Sequence, residues 1–485
     1  MNTKVTLGVV VIGSLLAGLI LSRLIYPYDI GVREACVWHP ALFSAHLKNP
    51  YSLVTQPPFA VAPYGYFYYL IVGIGIRLFG YQFWFGRVLS VASALICLVC
   101  IWRITWLLTR RREAAGVAAF AWASSFSVQY WIAIQRPDFT ALAFALAGIV
   151  LALEPDDQAD RVNLRSCLAV IFLTAAFFCK LTVVLPIAVA LAVYAQSRRF
   201  REGIFVAVGV ICLVALVTAA LDLTSGSQFT WQYFVLTRKI PADYGQANTM
   251  LRYLLLTPSM WAFLLVILAY VAREGYALGR RGGWAVLRSS VTSRELLMVG
   301  YLVASAVGAY MASARAGAGY NYYLEATTAA SIVVGLAVGH FSSVAKSQRV
   351  LAAVAALFIL TGLFRLSHEA IREYYRWSSY PYFSEVIDVL RKSAGRSGAS
   401  SEIGLSLFPE LITFAGLEYH FGDWVQYTDG RSEVLAEIFQ KALLSGRYAA
   451  VISMGNGPLP GYHLAQTKLP PPSKFPPVYL YLRDP

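Results

Sequence analysis

Charge is what this 485-residue chain has least of: 14% of its residues are Asp, Glu, Lys or Arg, while 58% are hydrophobic. So few charges cannot cover a soluble globular protein of this length, which leaves a polytopic membrane protein. Acids are scarcer than bases, 26 against 40, for a net charge of +14. That excess would suit nucleic acid, but the bases fall in short clusters between apolar runs, the pattern membrane insertion requires, so no nucleic-acid partner is expected. Cysteine is sparse too: Cys36, Cys97, Cys100, Cys167, Cys179 and Cys212 lie mostly inside apolar runs, and no disulfide framework follows. Cys97-x-x-Cys100 sits in an apolar helix without a second ligand pair, which favours small-residue packing over a redox or metal motif. No sequence repeat is evident, and the C-terminal part carries no GxGxxG, P-loop, HExxH or GxSxG.

What is present is a series of apolar segments. They lie near Val5–Ile25, Trp84–Leu108, Ala114–Ile132, Phe139–Leu153, Leu168–Phe178, Leu181–Tyr194, Ile204–Leu221, Leu251–Val271, Leu296–Met311, Tyr323–Gly339 and Val350–Phe364, eleven in all. Segments 139–153 and 168–178 fall short of the roughly 20 residues a perpendicular span needs, so flanking residues must contribute. The first run follows Lys4, is long enough to span and has no clean small-x-small cleavage site, so an uncleaved anchor is expected rather than a signal peptide. Lys4, Arg110-Arg111-Arg112, Arg161 with Arg165, Arg198 to Arg201, the Arg273–Arg294 loop and Lys346 with Arg349 all fall on one side of this map. The positive-inside rule makes that side cytoplasmic, with the N-terminus inside, as in a multi-pass protein of the inner (cytoplasmic) membrane.

The reading is therefore an all-α polytopic membrane bundle of about 11 transmembrane helices over residues 1–366, with a small α/β outer (periplasmic or extracellular) domain over 367–485. Past Phe364 the chain becomes rich in Pro, Gly, Ser, Asp and Glu. Segments 402–407 and 448–453 read as strands, and 384–392 and 432–444 as amphipathic helices. The first outer loop, 26–83, is long; its stretch 64–79 is too short to span and is expected to form an interfacial helix. Most of its tyrosines, Tyr64, Tyr66, Tyr68 and Tyr69, read as an interfacial belt, with one or two available to stack on a sugar.

Polar chemistry collects on the outer side. Asp29 and Glu34 follow the first helix, in Tyr26-Pro27-Tyr28-Asp29-Ile30-Gly31-Val32-Arg33-Glu34. Arg136-Pro137-Asp138 forms a turn so short that both charges sit near the bilayer surface. Lys180 stands in an otherwise apolar hairpin, and Gly319-Tyr320-Asn321-Tyr322-Tyr323-Leu324-Glu325 leads into the tenth helix. Singly, each has an ordinary explanation: Asp29 can cap a turn, Arg136 and Asp138 can pair, Lys180 can snorkel to the interface and Glu325 can bond a neighbouring helix. Together on one side they point to a site, because an acid at a membrane boundary costs free energy unless solvated or paired.

In order, the anchor helix, the loop with Asp29 and Glu34, Pro57-Pro58 before an aromatic juxtamembrane helix, Phe79-Gly80 before Arg87, the Arg136-Pro137-Asp138 turn, the Phe-Cys-Lys180-Leu-Thr hairpin and Asn321-Tyr-Tyr-Leu-Glu325 resemble the GT-C superfamily of integral-membrane glycosyltransferases. Within it, residues 5 to 365 look most like the bacterial branch related to protein O-mannosyltransferases and to the aminoarabinose and lipopolysaccharide-core sugar transferases. The resemblance implies a polyprenyl-phosphate-linked sugar as donor, a lipid, glycan or protein acceptor, and an essential acid in the first outer loop. Asp29 is the residue that matches that acid. The common adjacent acidic pair is absent, since Ile30 follows Asp29 and the next carboxylate is Glu34, so the base is Asp29 alone or Asp29 with Glu34.

The residues suit that chemistry. A carboxylate at a partly apolar boundary can take the proton of an acceptor hydroxyl, and a single displacement without a protein nucleophile would invert the anomeric centre. Arg136, Lys180 and Arg238 or Lys239 are candidates to hold the leaving phosphate, with Asp138 orienting Arg136. His39, Tyr64, Asn321 and Glu325 are candidate substrate contacts. Asp29, Glu34 and Asp138 carry the oxygen ligands Mg²⁺ or Mn²⁺ would use, though the Arg and Lys set can serve in place of a metal. Two rival classes are a lipid or solute transporter or flippase, and an assembly protein that uses the bundle as an anchor. Mid-membrane charges and internal repeats, expected of carriers, are not evident, and eleven helices exceed what an anchor needs.

Overall fold

The computed structural model describes residues 3–30, 34–51, 61–154, 162–236, 242–281, 293–315, 318–341, 347–378, 380–394, 403–406, 418–420, 450–453, 462–468 and 478–483. The helices are α1 (Thr3–Ile25), α2 (Ala35–Ala45), α3 (Tyr66–Phe79), α4 (Trp84–Thr109), α5 (Arg112–Ala123), α6 (Phe126–Trp131), α7 (Pro137–Leu153), α8 (Leu164–Cys179), α9 (Leu185–Gln196), α10 (Phe200–Ser225), α11 (Gln228–Thr230), α12 (Tyr244–Leu255), α13 (Pro258–Arg281), α14 (Ser293–Ser313), α15 (Leu324–Phe341), α16 (Ser347–Ser378) and α17 (Tyr380–Ala394).

All eleven apolar segments are helical, but only six helices among the described residues are long and apolar enough to cross a bilayer; the bent pair α12 and α13, broken by 77°, makes a seventh if counted as one span. The shortfall is one of helix length. Segment 114–132 is divided at Ser124-Ser125, where the Ser125 side chain accepts from the Val128 N–H and starts α6 afresh. α7 and α8 are short apolar helices, and α7 is walled by α4, α8 and α9 so that most of its residues are buried. A helix screened from lipid by neighbours need not match the bilayer's thickness.

α7 begins where Pro137 supplies the fixed φ of a first helical position after the extended Arg136, and Asp138 in its first turn suits the positive end of the helix dipole. The core runs through α4, α7, α8, α9 and α15, with Ile101, Leu146, Leu173, Val193 and Leu336 fully buried. A second cluster lies under the loop regions: Tyr51, Tyr68, Tyr69, Phe229 and Tyr233 pack on Trp38 and Phe178. Tyr64, Tyr68 and Tyr69 are thus buried rather than set as an interfacial belt. The Tyr64 backbone ties two hydroxyls of this cluster: Tyr69 Oη accepts from the Tyr64 N–H at 3.0 Å and Tyr51 Oη donates to the Tyr64 carbonyl at 2.7 Å. Burial raises the Tyr51 phenol well above its ordinary pKa, which keeps that hydroxyl a donor.

The boundary expected at 366/367 falls inside α16. After α17, the described residues hold five strands, β1 (Ile403–Ser406), β2 (Glu418–His420), β3 (Ala450–Ser453), β4 (Tyr462–Lys468) and β5 (Val478–Arg483), in one mixed sheet ordered β2-β1-β3-β5-β4. β1 runs parallel to β2 and β3, while β5 runs antiparallel to β3 and β4. Leu480 of β5 is buried in the same cluster as Phe383, Val386, Ile387 and Leu390 of α17, joining sheet to helix.

Candidate active site

Where α1 gives out, residues 26–30 turn across the end of the bundle and are held there by Arg87, four residues into α4 and completely buried. Its Nη1 donates to the Arg23 carbonyl at 2.8 Å and to that of Tyr26, and its Nη2 to the Tyr28 carbonyl at 2.5 Å. The remaining edge grips Glu34, Nε to Oε1 at 2.9 Å and Nη2 to Oε2 at 2.5 Å. The Glu34 oxygens also accept from the backbone N–H of Gln135 at 2.6 Å and of Ile30 at 3.1 Å. This carboxylate therefore has four donors and no solvent exposure, and is engaged in shaping the loop. Gly86 makes room for the arrangement, since a Cβ there would lie 2.2 Å from the Gln135 side-chain oxygen.

Asp29 is placed differently. It is half-buried, and its Oδ2 accepts from the Ala35 N–H at 3.2 Å, at the first turn of α2, where the helix dipole favours a negative charge. Beside it, Tyr28 packs on Tyr380 and Phe383 of α17, with ring centroids 5.6 and 5.5 Å apart, and burial raises its phenol above the ordinary pKa. His39 is buried on α2 with its ring edge-on to Phe43 at 5.4 Å.

The second half of the site gathers three segments distant in sequence. Lys180, in extended backbone just past α8, is buried and forms a short ion pair with Asp138 Oδ1; it does not snorkel. Asn321 Nδ2 donates to the same oxygen at 2.7 Å, and the Lys180 ammonium lies 4.4 Å from the Tyr322 ring centroid. Gly65 lets the chain run flush against this hairpin: its N–H donates to the Cys179 carbonyl at 3.3 Å, and a Cβ there would lie 1.8 Å from the Phe178 carbonyl oxygen. The Arg136 guanidinium lies over the rings of Tyr64 and Trp131, 5.5 and 5.6 Å from their centroids. Glu325, one turn beyond Asn321, faces the hydroxyl of Tyr301 on α14.

Asp138, Lys180, Asn321, Tyr322 and Glu325 line a cavity of about 540 Å³ between α7, α9, α14 and α15. Its other walls are apolar or small, among them Leu142, Val183, Leu185, Ala188, Gly308 and Ala312. The structure thus brings Asp138, Lys180, Asn321 and Glu325 around one space, and sets Asp29 on a neighbouring loop whose clamp, through Gln135, adjoins Arg136. Arg238 and Lys239 lie outside the described residues. Arg87 and Gln135 carry much of the geometry yet are not among the candidate site residues the sequence offers; Arg87 enters there only as part of the resemblance, and its further signal is a charge one turn inside an apolar helix. Among the described residues no group of three or more His, Cys, Asp or Glu could hold a metal ion. Glu34 is occupied by Arg87, and Asp138 Oδ1 by Lys180 and Asn321, so the expected acids do not fit a Mg²⁺ or Mn²⁺ cage.

Residues 63–221 match the family model for dolichyl-phosphate-mannose-protein mannosyltransferase. Comparison with curated protein sequences gives no match. Among solved structures, the fold superimposes on ArnT from Cupriavidus metallidurans bound to undecaprenyl phosphate with a TM-score of 0.66 at 11% identity, covering 98% of this chain and 97% of that one. The apo form of the same enzyme gives 0.62 at 12% identity, covering 99% and 98%. An apo oligosaccharyltransferase from Archaeoglobus fulgidus gives 0.52 at 11% identity, covering 91% of this chain and 69% of that one. Over nearly its whole length the chain therefore has the fold of the two ArnT structures.

Proposed function

We propose that this protein transfers a sugar from a polyprenyl-phosphate-linked donor to a lipid, glycan or protein acceptor at the extracytoplasmic face of the membrane. The observation that carries this reading is the cavity itself: apolar walls between helices end on the Asp138, Lys180 and Asn321 cluster, which suits a lipid tail joined to an anionic linkage. The family match over 63–221 and the undecaprenyl phosphate bound to the similar ArnT fold point the same way. Orientation rests on the charge map. Arg110 to Arg112, Arg165 and Arg198 to Arg201 lie at the helix ends opposite Asp138 and Lys180, which supports an outer position for the site by the positive-inside rule.

In this reading Asp29 is the general base and Glu34 positions it. The acceptor oxygen gives its proton to the Asp29 carboxylate as it bonds to the anomeric carbon. The bond from that carbon to the phosphate oxygen breaks on the opposite side, so configuration inverts, and the polyprenyl phosphate leaves with its charge held by Lys180 and Arg136. The test is reconstitution of the full chain in liposomes with a panel of undecaprenyl-phosphate hexoses and a membrane extract as acceptor. Release of undecaprenyl phosphate with sugar appearing on an acceptor is expected; movement of intact lipid between leaflets with no sugar released would instead define a transporter.

A further inference from the structure

Between Glu34 and Glu113 the sequence holds no Asp or Glu, yet α2, α3 and the turns that follow them carry the exposed bases His46, Lys48 and Arg77. α2 and α3 pack closely: a Cβ on Gly73 would lie 2.9 Å from the Ala45 backbone nitrogen. The C-terminal ends of the two helices border a second cavity of about 420 Å³, whose polar lining is His46, Arg77 and Tyr81. Among the described residues no acid lines it, and the Arg77 guanidinium has neither a counterion nor a hydrogen-bond acceptor. Gly80 turns the chain at φ +81°, a conformation closed to residues with a Cβ, and Tyr81 follows with its ring edge-on to Trp38 at 6.1 Å. This notch shares no lining residue with the cavity at Asp138 and Lys180.

The rim of the notch is apolar. Leu47 holds left-handed backbone at φ 58°, which bulky side chains rarely adopt, and stands 79% exposed between His46 and Lys48. Leu78 and Phe79 of α3, 68% and 50% exposed, continue this edge, and Phe79 packs on Trp84 and Phe85 at the start of α4. That end of α4 is the one opposite Arg110 to Arg112, and Trp84 with Tyr81 are residue types that collect at a membrane–water boundary. Arg77 also suits the negative end of α3, which accounts for its charge but not for a cavity around it. A soluble anion would meet the bases and leave Leu47, Leu78 and Phe79 in water. A zwitterionic lipid would cover the rim but bring a cation of its own to a cavity without an acid. An anionic phospholipid matches both features. We propose that the notch binds the headgroup of such a lipid, with Arg77 on the phosphate, His46 and Tyr81 as further donors, and the acyl chains along Leu47, Leu78 and Phe79.

The test reads lipid binding alone, whether or not sugar is transferred. It uses the full chain in phosphatidylcholine vesicles containing phosphatidylglycerol with a photoreactive group near the head of one acyl chain; phosphatidylcholine carrying the same group is the comparison probe. After irradiation, labelling by the phosphatidylglycerol probe should map to Leu47, Leu78 and Phe79 and saturate as its mole fraction rises. In Arg77→Gln the fraction giving half-saturation should increase about tenfold, as for a lost hydrogen bond to a charged group. Arg77→Lys keeps the charge without the planar fork and should lie between that variant and wild type. Arg77 is exposed and makes no ion pair within the described chain, so both variants are expected to fold. Equal labelling by the two probes would overturn the assignment, as would saturation unchanged in Arg77→Gln. Displacement of the probe by an equal concentration of undecaprenyl phosphate would also overturn it, since the notch would then belong to the polyprenyl lipid.

Discussion

Glu34 and Arg87 meet edge to edge through two parallel hydrogen bonds, at 2.9 and 2.5 Å, with both side chains fully buried. The pair separates the two acids of the loop. Glu34 is committed on both oxygens, whereas Asp29 is half-buried and stands at the first turn of α2. One chain segment thus carries an acid that fixes the loop and another that the fixed loop presents.

Glu34→Gln should therefore behave as a folding lesion. Removing one charge leaves the Arg87 guanidinium buried without its counterion, at a cost of about 3–5 kcal/mol. Thermal unfolding of the solubilised protein should show a large loss of stability. The double variant Glu34→Leu with Arg87→Met should recover much of it, and a wild-type melting curve for Glu34→Gln would refute the clamp.

Asp29→Asn predicts the opposite pattern. The amide can still accept from the Ala35 N–H, so stability should stay within about 0.5 kcal/mol of wild type, as for a change away from buried networks. Sugar transfer should be abolished while affinity for undecaprenyl phosphate persists. Full turnover in this variant would remove Asp29 from the role of base.

The contrast shows what a sequence can and cannot disclose here. Asp138, Lys180 and Asn321 stood out because polar groups in apolar surroundings are costly and ask for an explanation. Arg23 and Arg87 were absorbed into the ends of hydrophobic runs, and nothing local names a partner such as Glu373, 350 positions further on. The span count differs for a local reason, since a break such as Ser124-Ser125 divides an apolar run into short helices; how deeply α7 is buried, by contrast, depends on packing between distant segments. The cavity is not legible at all before α7, α9, α14 and α15 are assembled.

The Lys180 and Asp138 pair allows stability and donor binding to be separated. Lys180→Met leaves a buried carboxylate without its cation and should destabilise by about 3–5 kcal/mol while weakening undecaprenyl phosphate binding. Replacing Asp138 by Leu in that background should recover stability without recovering binding, because the cation that holds phosphate is still missing. Recovery of both would mean that Lys180 serves only to neutralise Asp138. Arg136→Ala should weaken the same binding; unchanged affinity would take it out of the phosphate site.

Arg23 offers the strongest test of how the first helix is fastened to the C-terminal part. Its guanidinium reaches Glu369 at 2.6 Å and Glu373 at 2.9 Å on α16, and donates to the carbonyls of Gln129, Tyr130 and Ile132 at 3.0, 3.1 and 2.7 Å. Its own carbonyl is one of those Arg87 holds, so the same residue borders the Asp29 loop. Arg23→Lys keeps the charge but cannot reproduce a planar fork with five acceptors, and should lie between wild type and Arg23→Met. Arg23→Met removes a counterion shared by two buried acids, which retain Arg365, Arg372 and Arg376, and strips three carbonyls of their donor. A loss of about 3 kcal/mol is expected in thermal unfolding, accompanied by reduced turnover as the loop loses its anchorage. If stability falls while turnover per folded molecule is unchanged, the network fastens α1 to α16 but does not set the loop; if neither moves, the packing of α1 on α16 is sufficient without it.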